Sequence, residues 1–217
     1  MIKKFSTIFL TLFFLFFQIQ NLSSENNNKI IISVGDFPIT YLDLVQEMKL
    51  VAILSNIRIN QENQSHIQNL AVQSLIRRQI KSSEVERLNI RQYSKKDLNG
   101  LVAQTSKNIG LDKNELKELL EKHGLNFKDL IKRFEVDLRW NTLIFELYKN
   151  KISLNTVEIE NKINLKAKEI EKDKLSPDVY EKIKKNIVRQ EKEKKLHMFS
   201  NSHYSGLERM MQVKQLY

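Results

Sequence analysis

Apolar residues recur at three- and four-residue intervals along most of the chain, which is the spacing of amphipathic helices. Seven helices are predicted: residues 40–52, 67–88, 94–110, 112–123, 126–148, one that begins at 155, and one from 177 to about 209. Five of them open with a capping residue and an acidic residue three positions later: Thr40 and Asp43, Ser94 and Asp97, Asp112 and Glu115, Asn126 and Asp129, Asn155 and Glu158. The helix at 126–148 is apolar on more than one face, so we expect neighbours on two sides.

Strand patterns occur at the two ends of this helical region. Ile30, Ile32 and Val34 alternate with other residues, and Gly35-Asp36 then leads into a second short apolar run, which predicts a hairpin over residues 29–40. A lone hairpin is not stable in water, and the alternation around Val213 near the C-terminus offers a partner strand. Five Gly and two Pro in 217 residues are too few for a fold of many strands, which needs frequent turn residues. The predicted fold is therefore mainly α, with a small antiparallel sheet formed by the N-terminal hairpin and the C-terminal strand.

The first 24 residues have the layout of a secretory signal. Lys3 and Lys4 precede an apolar run, Ile8–Phe17, that is too short for a bilayer core needing about 20 residues. We expect cleavage near Ser23 or Ser24, and no stable membrane insertion afterwards. An uncleaved anchor, which would make the protein a membrane-tethered scaffold, is the alternative.

The chain is basic, but its charges are mixed. Thirty-six Lys and Arg against 26 Asp and Glu give a formal charge of +10. The basic stretch Lys182–Lys195 is preceded by Glu181 and interrupted by Glu191 and Glu193, and the export signal separates the protein from nucleic acid. We therefore predict a solvated charged surface and no nucleic-acid partner.

Familiar catalytic and metal-binding signatures are missing from the sequence. It has no cysteine, no glycine-rich phosphate loop, no HExxH and no G-x-S-x-G. His197 and His203 are six residues apart, which on a helix places them about 240° apart rather than on one face. No cofactor or metal is predicted.

Short matches to one family are spread along nearly the whole chain after the signal. They comprise the Ile30–Ile39 hairpin, the helix entry Thr40-Tyr41-Leu42-Asp43, Ala71–Ile76 running to Leu88-Asn89-Ile90, Ser94–Asp97, His123–Phe127 through Arg133 and Leu138, and Lys195–Tyr204 running to Tyr217. In this order the elements resemble the SurA-type periplasmic chaperones. Asn89 stands where that family usually has glycine.

The resemblance implies a periplasmic helical chaperone domain that binds unfolded outer-membrane proteins. Residues 25–164 would form its N-terminal helical region, and residues 165–217 would complete the same domain with a C-terminal helix and strand. Relatives carry one or two parvulin-type prolyl isomerase domains of about 100 residues between these parts. Here that gap spans only Leu165–Ser176, which is too short for an isomerase domain, so we expect that the protein is not an enzyme. A relative of the isomerases that has lost or borrows its catalytic domain is the alternative.

Exposed apolar and flexible side chains would hold such clients weakly and promiscuously. The candidate client-binding residues are Met48, Phe134, Trp140, Phe145, Tyr148, Met198 and Phe199. Ordinary core packing is the competing interpretation for each of them, because apolar helical stripes usually face a core. A homodimer is left open.

Overall fold

The computed structural model describes residues 28–169 and 176–216, and the predicted signal, residues 1–24, lies outside them. The described elements are β1 (Ile30–Val34), β2 (Phe37–Thr40), α1 (Tyr41–Leu54), α2 (Gln64–Arg87), α3 (Lys95–Asn108), α4 (Lys113–Lys122), α5 (Phe127–Tyr148), a 3-10 turn (Lys149–Lys151), α6 (Thr156–Lys168), α7 (Pro177–Met210) and β3 (Val213–Gln215). The predicted mainly α fold is confirmed, and the predicted helices are present with ends shifted by a few residues.

The two ends of the described chain pair in one antiparallel sheet, as the sequence predicts. The strand order is β2-β1-β3. Val34 faces Phe37 on one side and Val213 on the other. Gly35 has a φ of 57°, a left-handed conformation that favours glycine, and its N–H donates to the Gln212 carbonyl at 2.9 Å. The hairpin therefore gains the third strand that it needs for stability.

Local capping fixes where several helices begin and end. At the start of α1, the Thr40 hydroxyl accepts from the Asp43 N–H at 3.2 Å while the Asp43 carboxylate accepts from the Thr40 N–H at 2.8 Å. At the end of α2, Asn89 adopts a φ of 52°, and the Ile90 N–H donates to the Val85 carbonyl at 2.9 Å. Asparagine thus performs the helix-stopping role that glycine more often performs.

The described chain divides into two compact units. Unit 1 holds residues 28–80, 95–134 and 211–216, and unit 2 holds residues 81–94 and 135–210 apart from 170–175. The sequence-based division at residues 164 and 165 falls inside α6, which belongs wholly to unit 2. The domain boundaries proposed from sequence remain a prediction.

A leucine cluster forms the core of unit 1. Its buried members come from α1, α4, the turn after α4 and the start of α5: Leu50, Leu116, Leu120, Leu125 and Leu130. Leu116 and Leu120 lie four residues apart and thus on one face of α4, which turns that apolar stripe toward the other three leucines.

A buried carboxylate also ties three helices of unit 1 together. Glu47 in α1 is almost completely buried and accepts from the Ser74 hydroxyl at 2.7 Å. Its oxygens also lie 2.9 Å from Arg78 Nη2 and 2.7 Å from Arg133 Nη2. Burial, and next the neighbouring Arg78, lower the pKa of Arg133, whereas Glu47 opposes that shift. The carboxylate therefore compensates two guanidinium groups that have lost part of their hydration.

Unit 2 has its own apolar interior. Trp140, Leu143 and Ile144 of α5 are buried, as are Ile159 and Ile163 of α6. Within the described ranges 28–169 and 176–216, no helix is both long enough and apolar enough to cross a membrane.

Candidate functional site

Four of the seven predicted client-binding residues lie in one part of unit 2. Tyr148 of α5 stacks on Phe199 of α7, with ring centroids 4.7 Å apart and planes 6° apart. Phe145 lies three residues before Tyr148 and thus on the same side of α5. Met198 directly precedes Phe199, so its side chain points about 100° away from that of Phe199 around α7. We call these four residues, Phe145, Tyr148, Met198 and Phe199, the aromatic patch.

The aromatic patch is open to solvent at Phe145 and Met198. Their exposed fractions are 47% and 62%, whereas the stacked rings of Tyr148 and Phe199 are half-buried. Lys149 Nζ lies 5.7 Å from the centre of the Phe145 ring, and Lys151 Nζ lies 5.3 Å from that of Tyr148. Lys149 also pairs with Glu146. The patch therefore offers apolar contact area with cations over two of its rings.

Trp140 lies in the interior rather than on this surface. Its side chain is 1% exposed, and its indole Nε1 donates to the Ser200 hydroxyl at 2.8 Å. Its ring lies 5.5 Å from the His203 ring in a tilted arrangement. The indole is packed and its single donor is satisfied, which favours the core-packing interpretation of Trp140, while its role in client contact stays a prediction.

The remaining two candidates, Met48 and Phe134, belong to unit 1. Both are half-buried, and Phe134 packs against the leucine cluster. The contacts of Phe134 therefore match the core-packing interpretation better than a free binding surface.

A second buried carboxylate, which sequence reasoning missed, lies beside the aromatic patch. Glu84 of α2 accepts from Arg87 Nε at 2.6 Å and Nη2 at 2.7 Å, and its Oε1 lies 3.2 Å from His203 Nε2. His203 Nδ1 lies 3.0 Å from the Tyr148 hydroxyl. A His203 tautomer protonated at Nε2 satisfies both contacts, since Nδ1 then accepts from Tyr148. This chain of hydrogen bonds holds the Tyr148 ring of the patch in place.

One sequence signal could have found Glu84. It lies four residues after Ile80 and four before Leu88, on the apolar stripe of the predicted helix. A carboxylate at such a position needs a partner when it is buried. Among the described residues, no three His, Asp or Glu side chains are grouped so that they could hold a metal ion.

Comparison with protein families gives one match, to the SurA-like N-terminal domain, over residues 1–144. The chain belongs to this family. The match covers more than half of the sequence and confirms the resemblance drawn from the hairpin and the dispersed helix motifs. A search of curated proteins found no match.

The SurA-like domain match ends within α5. It includes the hairpin and α1–α4, whereas every residue of the aromatic patch lies beyond residue 144. The family is of chaperone type. The family match therefore says nothing about the aromatic patch, and a role for the patch has to be argued from the geometry of this SurA-like chain.

Glu84 should make the free energy of unfolding of this SurA-like protein fall at acidic pH. The hydrogen bond from Arg87 is the largest influence on the carboxyl and, with His203, keeps the Glu84 pKa below its ordinary value of 4.5 despite burial. A lowered folded-state pKa gives stability above the unfolded-state pKa that is lost as pH falls through the folded one. Urea unfolding at pH values from about 6 to about 3 should show Glu84→Gln losing less stability on acidification than wild type. Parallel pH profiles for the two proteins would contradict this assignment.

Proposed function

We propose that this protein is an ATP-independent periplasmic chaperone that binds unfolded outer-membrane polypeptides and prevents their aggregation. The observation that carries the proposal is the aromatic patch, whose Phe145 and Met198 side chains are exposed on a member of a chaperone-type family. The secretory layout of residues 1–24 supports export. The sequence contains no glycine-rich phosphate loop of the kind that many nucleotide-driven chaperones would need.

The chemistry of the patch suits clients of this kind. Strands of an outer-membrane barrel carry apolar residues at alternate positions and aromatic residues near the membrane interfaces. While such a strand is unfolded, these side chains are exposed to water. An exposed phenylalanine and an exposed, flexible methionine can adapt to many such sequences, since apolar contact needs no fixed hydrogen-bond pattern. Weak contact of this type favours holding a client and releasing it later.

The cations over the patch add an electrostatic component. Lys149 and Lys151 lie near the rings of Phe145 and Tyr148 and can attract acidic residues of an approaching client. Because both groups face solvent, salt should screen the attraction over about 10 Å at 0.1 M. Association with acidic clients should therefore slow as ionic strength rises.

The direct test follows the aggregation of an unfolded β-barrel protein by light scattering, in the presence of an excess of the chain from residue 25 onward. We expect wild type to suppress aggregation, and Phe145→Ser with Met198→Ser to weaken client binding by about thirtyfold or more, since each exposed apolar side chain contributes about 1 kcal/mol or more when buried. The matched control is Val157→Ser with Leu165→Ser. Both control residues are 63% exposed and lie in unit 2 outside the patch.

Two results would contradict the proposal. Absence of protection by wild type at high excess would remove the holdase function, and equal losses in the patch and control variants would remove the patch as its site. We also propose that the chain acts without catalysis. Acceleration of proline-limited refolding by the purified protein would favour the isomerase-related alternative instead.

A further inference from the structure

A groove in unit 1 differs in chemistry from the aromatic patch. It has a volume of about 570 Å³ and lies between the C-terminal ends of α1 and α4 and the loop that follows α1. Its aliphatic lining includes Ile53, Ile57, Ile59 and Leu119. The volume falls within the range of about 300–1,000 Å³ that is usual for ligand sites.

The loop that forms one wall of this groove is held by its own hydrogen bonds. Asn56 ends α1 with a φ of 53°, and the Ile57 N–H donates to the Ala52 carbonyl at 2.9 Å. Asn60 and Asn63 then bond each other reciprocally, each backbone N–H donating to the other side chain at 2.9–3.0 Å. These hydrogen bonds hold the loop in one conformation, which lowers the entropic cost of binding a ligand beside it.

Asn63 also fixes the position of Arg58. Its Nδ2 donates to the Arg58 carbonyl at 2.6 Å. Arg58 lies between Ile57 and Ile59, and the side chains of all three residues are exposed along the groove. The loop therefore presents two aliphatic side chains with a guanidinium between them.

The charged groups along the groove have one sign. Lys49 and Arg58 line it together with His123, and none of the described lining residues is acidic. Lys49 Nζ donates to the His123 carbonyl at 3.3 Å, which leaves further ammonium protons for a ligand. Arg58 forms no ion pair with any carboxylate among the described residues, and its planar guanidinium can grip a carboxylate with two parallel hydrogen bonds.

We propose that this groove binds a short client segment in which aliphatic side chains stand next to an Asp or Glu. The isoleucine and leucine walls would cover the aliphatic part, while Arg58 and Lys49 would pair with the carboxylate. No Phe, Tyr or Trp side chain is among the described lining residues, so the groove lacks the aromatic stack of the aromatic patch. The inference rests on the proposed function in that it takes an unfolded polypeptide as the ligand.

Binding of a fluorescein-labelled peptide, measured by anisotropy with the chain from residue 25 onward, tests the groove. The probe has a Leu-Ile-Glu-Val core, and a second peptide carries Lys in place of Glu. We expect the Glu peptide to bind at least about tenfold more tightly than the Lys peptide, because charge reversal at a contact of this kind changes affinity by about that factor. Arg58→Glu should abolish this preference, because Lys49 then stands against the new carboxylate, and Ile59→Ser should weaken both peptides.

The matched control is Lys96→Glu, which makes the same charge change at an exposed position of unit 1 outside the groove. Arg58 uses its backbone carbonyl in the loop, so Arg58→Glu should retain the wild-type circular dichroism spectrum. Equal binding of the Glu and Lys peptides by wild type, or equal losses in Arg58→Glu and Lys96→Glu, would overturn the inference. Binding of dodecanoate, an aliphatic carboxylate that is not a peptide, without binding of the Glu peptide would also overturn the inference.

The aggregation assay separates this inference from the proposed function. If wild type suppresses aggregation but does not bind the Glu peptide, the groove assignment fails while the chaperone proposal stands. If the Glu peptide binds with the expected preference but aggregation is not suppressed, the groove assignment stands and the chaperone proposal fails.

Discussion

Replacing Glu47 with alanine is expected to lower the free energy of unfolding by about 3–5 kcal/mol, the usual cost of removing one partner from a buried ion pair. The change removes the acceptor of Ser74, Arg78 and Arg133 at once. The two guanidinium groups would then face each other without the carboxylate that compensates them. Because Arg133 is already disfavoured by burial, it would have to move toward water or remain uncompensated.

Urea unfolding followed by far-UV circular dichroism measures this loss. With a slope of about 2 kcal/mol per molar urea, the unfolding midpoint should fall by more than about 1 M. Glu118→Ala is the control, since Glu118 is an exposed acidic residue of unit 1, and its removal should change stability by about 0.5 kcal/mol or less. Midpoints for Glu47→Ala and Glu118→Ala that agree with each other would show that the buried network does not stabilise unit 1.

The small sheet and the helix starts could be predicted because each depends on local sequence. Alternation at Ile32 and Val34 selects a strand with one buried face, and Gly35 supplies the turn. Thr40 and Asp43 form the capping box that their three-residue spacing predicts. Pairing of the two chain ends was inferred indirectly. The hairpin requires a third strand for stability, and the sequence has only one other strand pattern.

The buried charges were harder to predict because their burial depends on partners from other helices. Glu47 is surrounded by residues of α2 and α5, and Glu84 lies beside His203 more than a hundred positions later in the chain. Periodicity assigns a face to a residue but does not identify what packs on that face. The same limit hid the groove, whose Ile57 and Ile59 lie in a stretch that reads as an ordinary polar loop.

Membership of a family was easier to infer than the location of the site. Trp140, Phe145 and Tyr148 occupy one broadly apolar helix, and their sequence pattern makes all three plausible contact residues. The structure separates them: Trp140 is internal, Tyr148 is half-buried in a stack, and Phe145 is exposed. When a helix is apolar on several faces, the positions of its neighbours decide which residues remain accessible.

This separation predicts opposite results for two aromatic residues five positions apart in α5. Trp140→Ala should lower the free energy of unfolding by about 3–5 kcal/mol, because it leaves a cavity and deprives Ser200 of its donor. Trp140→Phe should cost about 1–2 kcal/mol, because phenylalanine keeps most of the side-chain volume but cannot replace the hydrogen bond to Ser200. Phe145→Ala should change stability by about 0.5 kcal/mol or less.

The paired variants also distinguish structural support from client contact. Phe145→Ala should weaken client binding while its urea midpoint stays near that of wild type, whereas Trp140→Phe should lower the midpoint and, wherever the protein is folded, retain client binding. A Trp140→Ala protein as stable as wild type would show that the indole is not the internal support that its burial and its bond to Ser200 indicate. Loss of client binding in a fully folded Trp140→Phe protein would contradict the purely structural role assigned to Trp140.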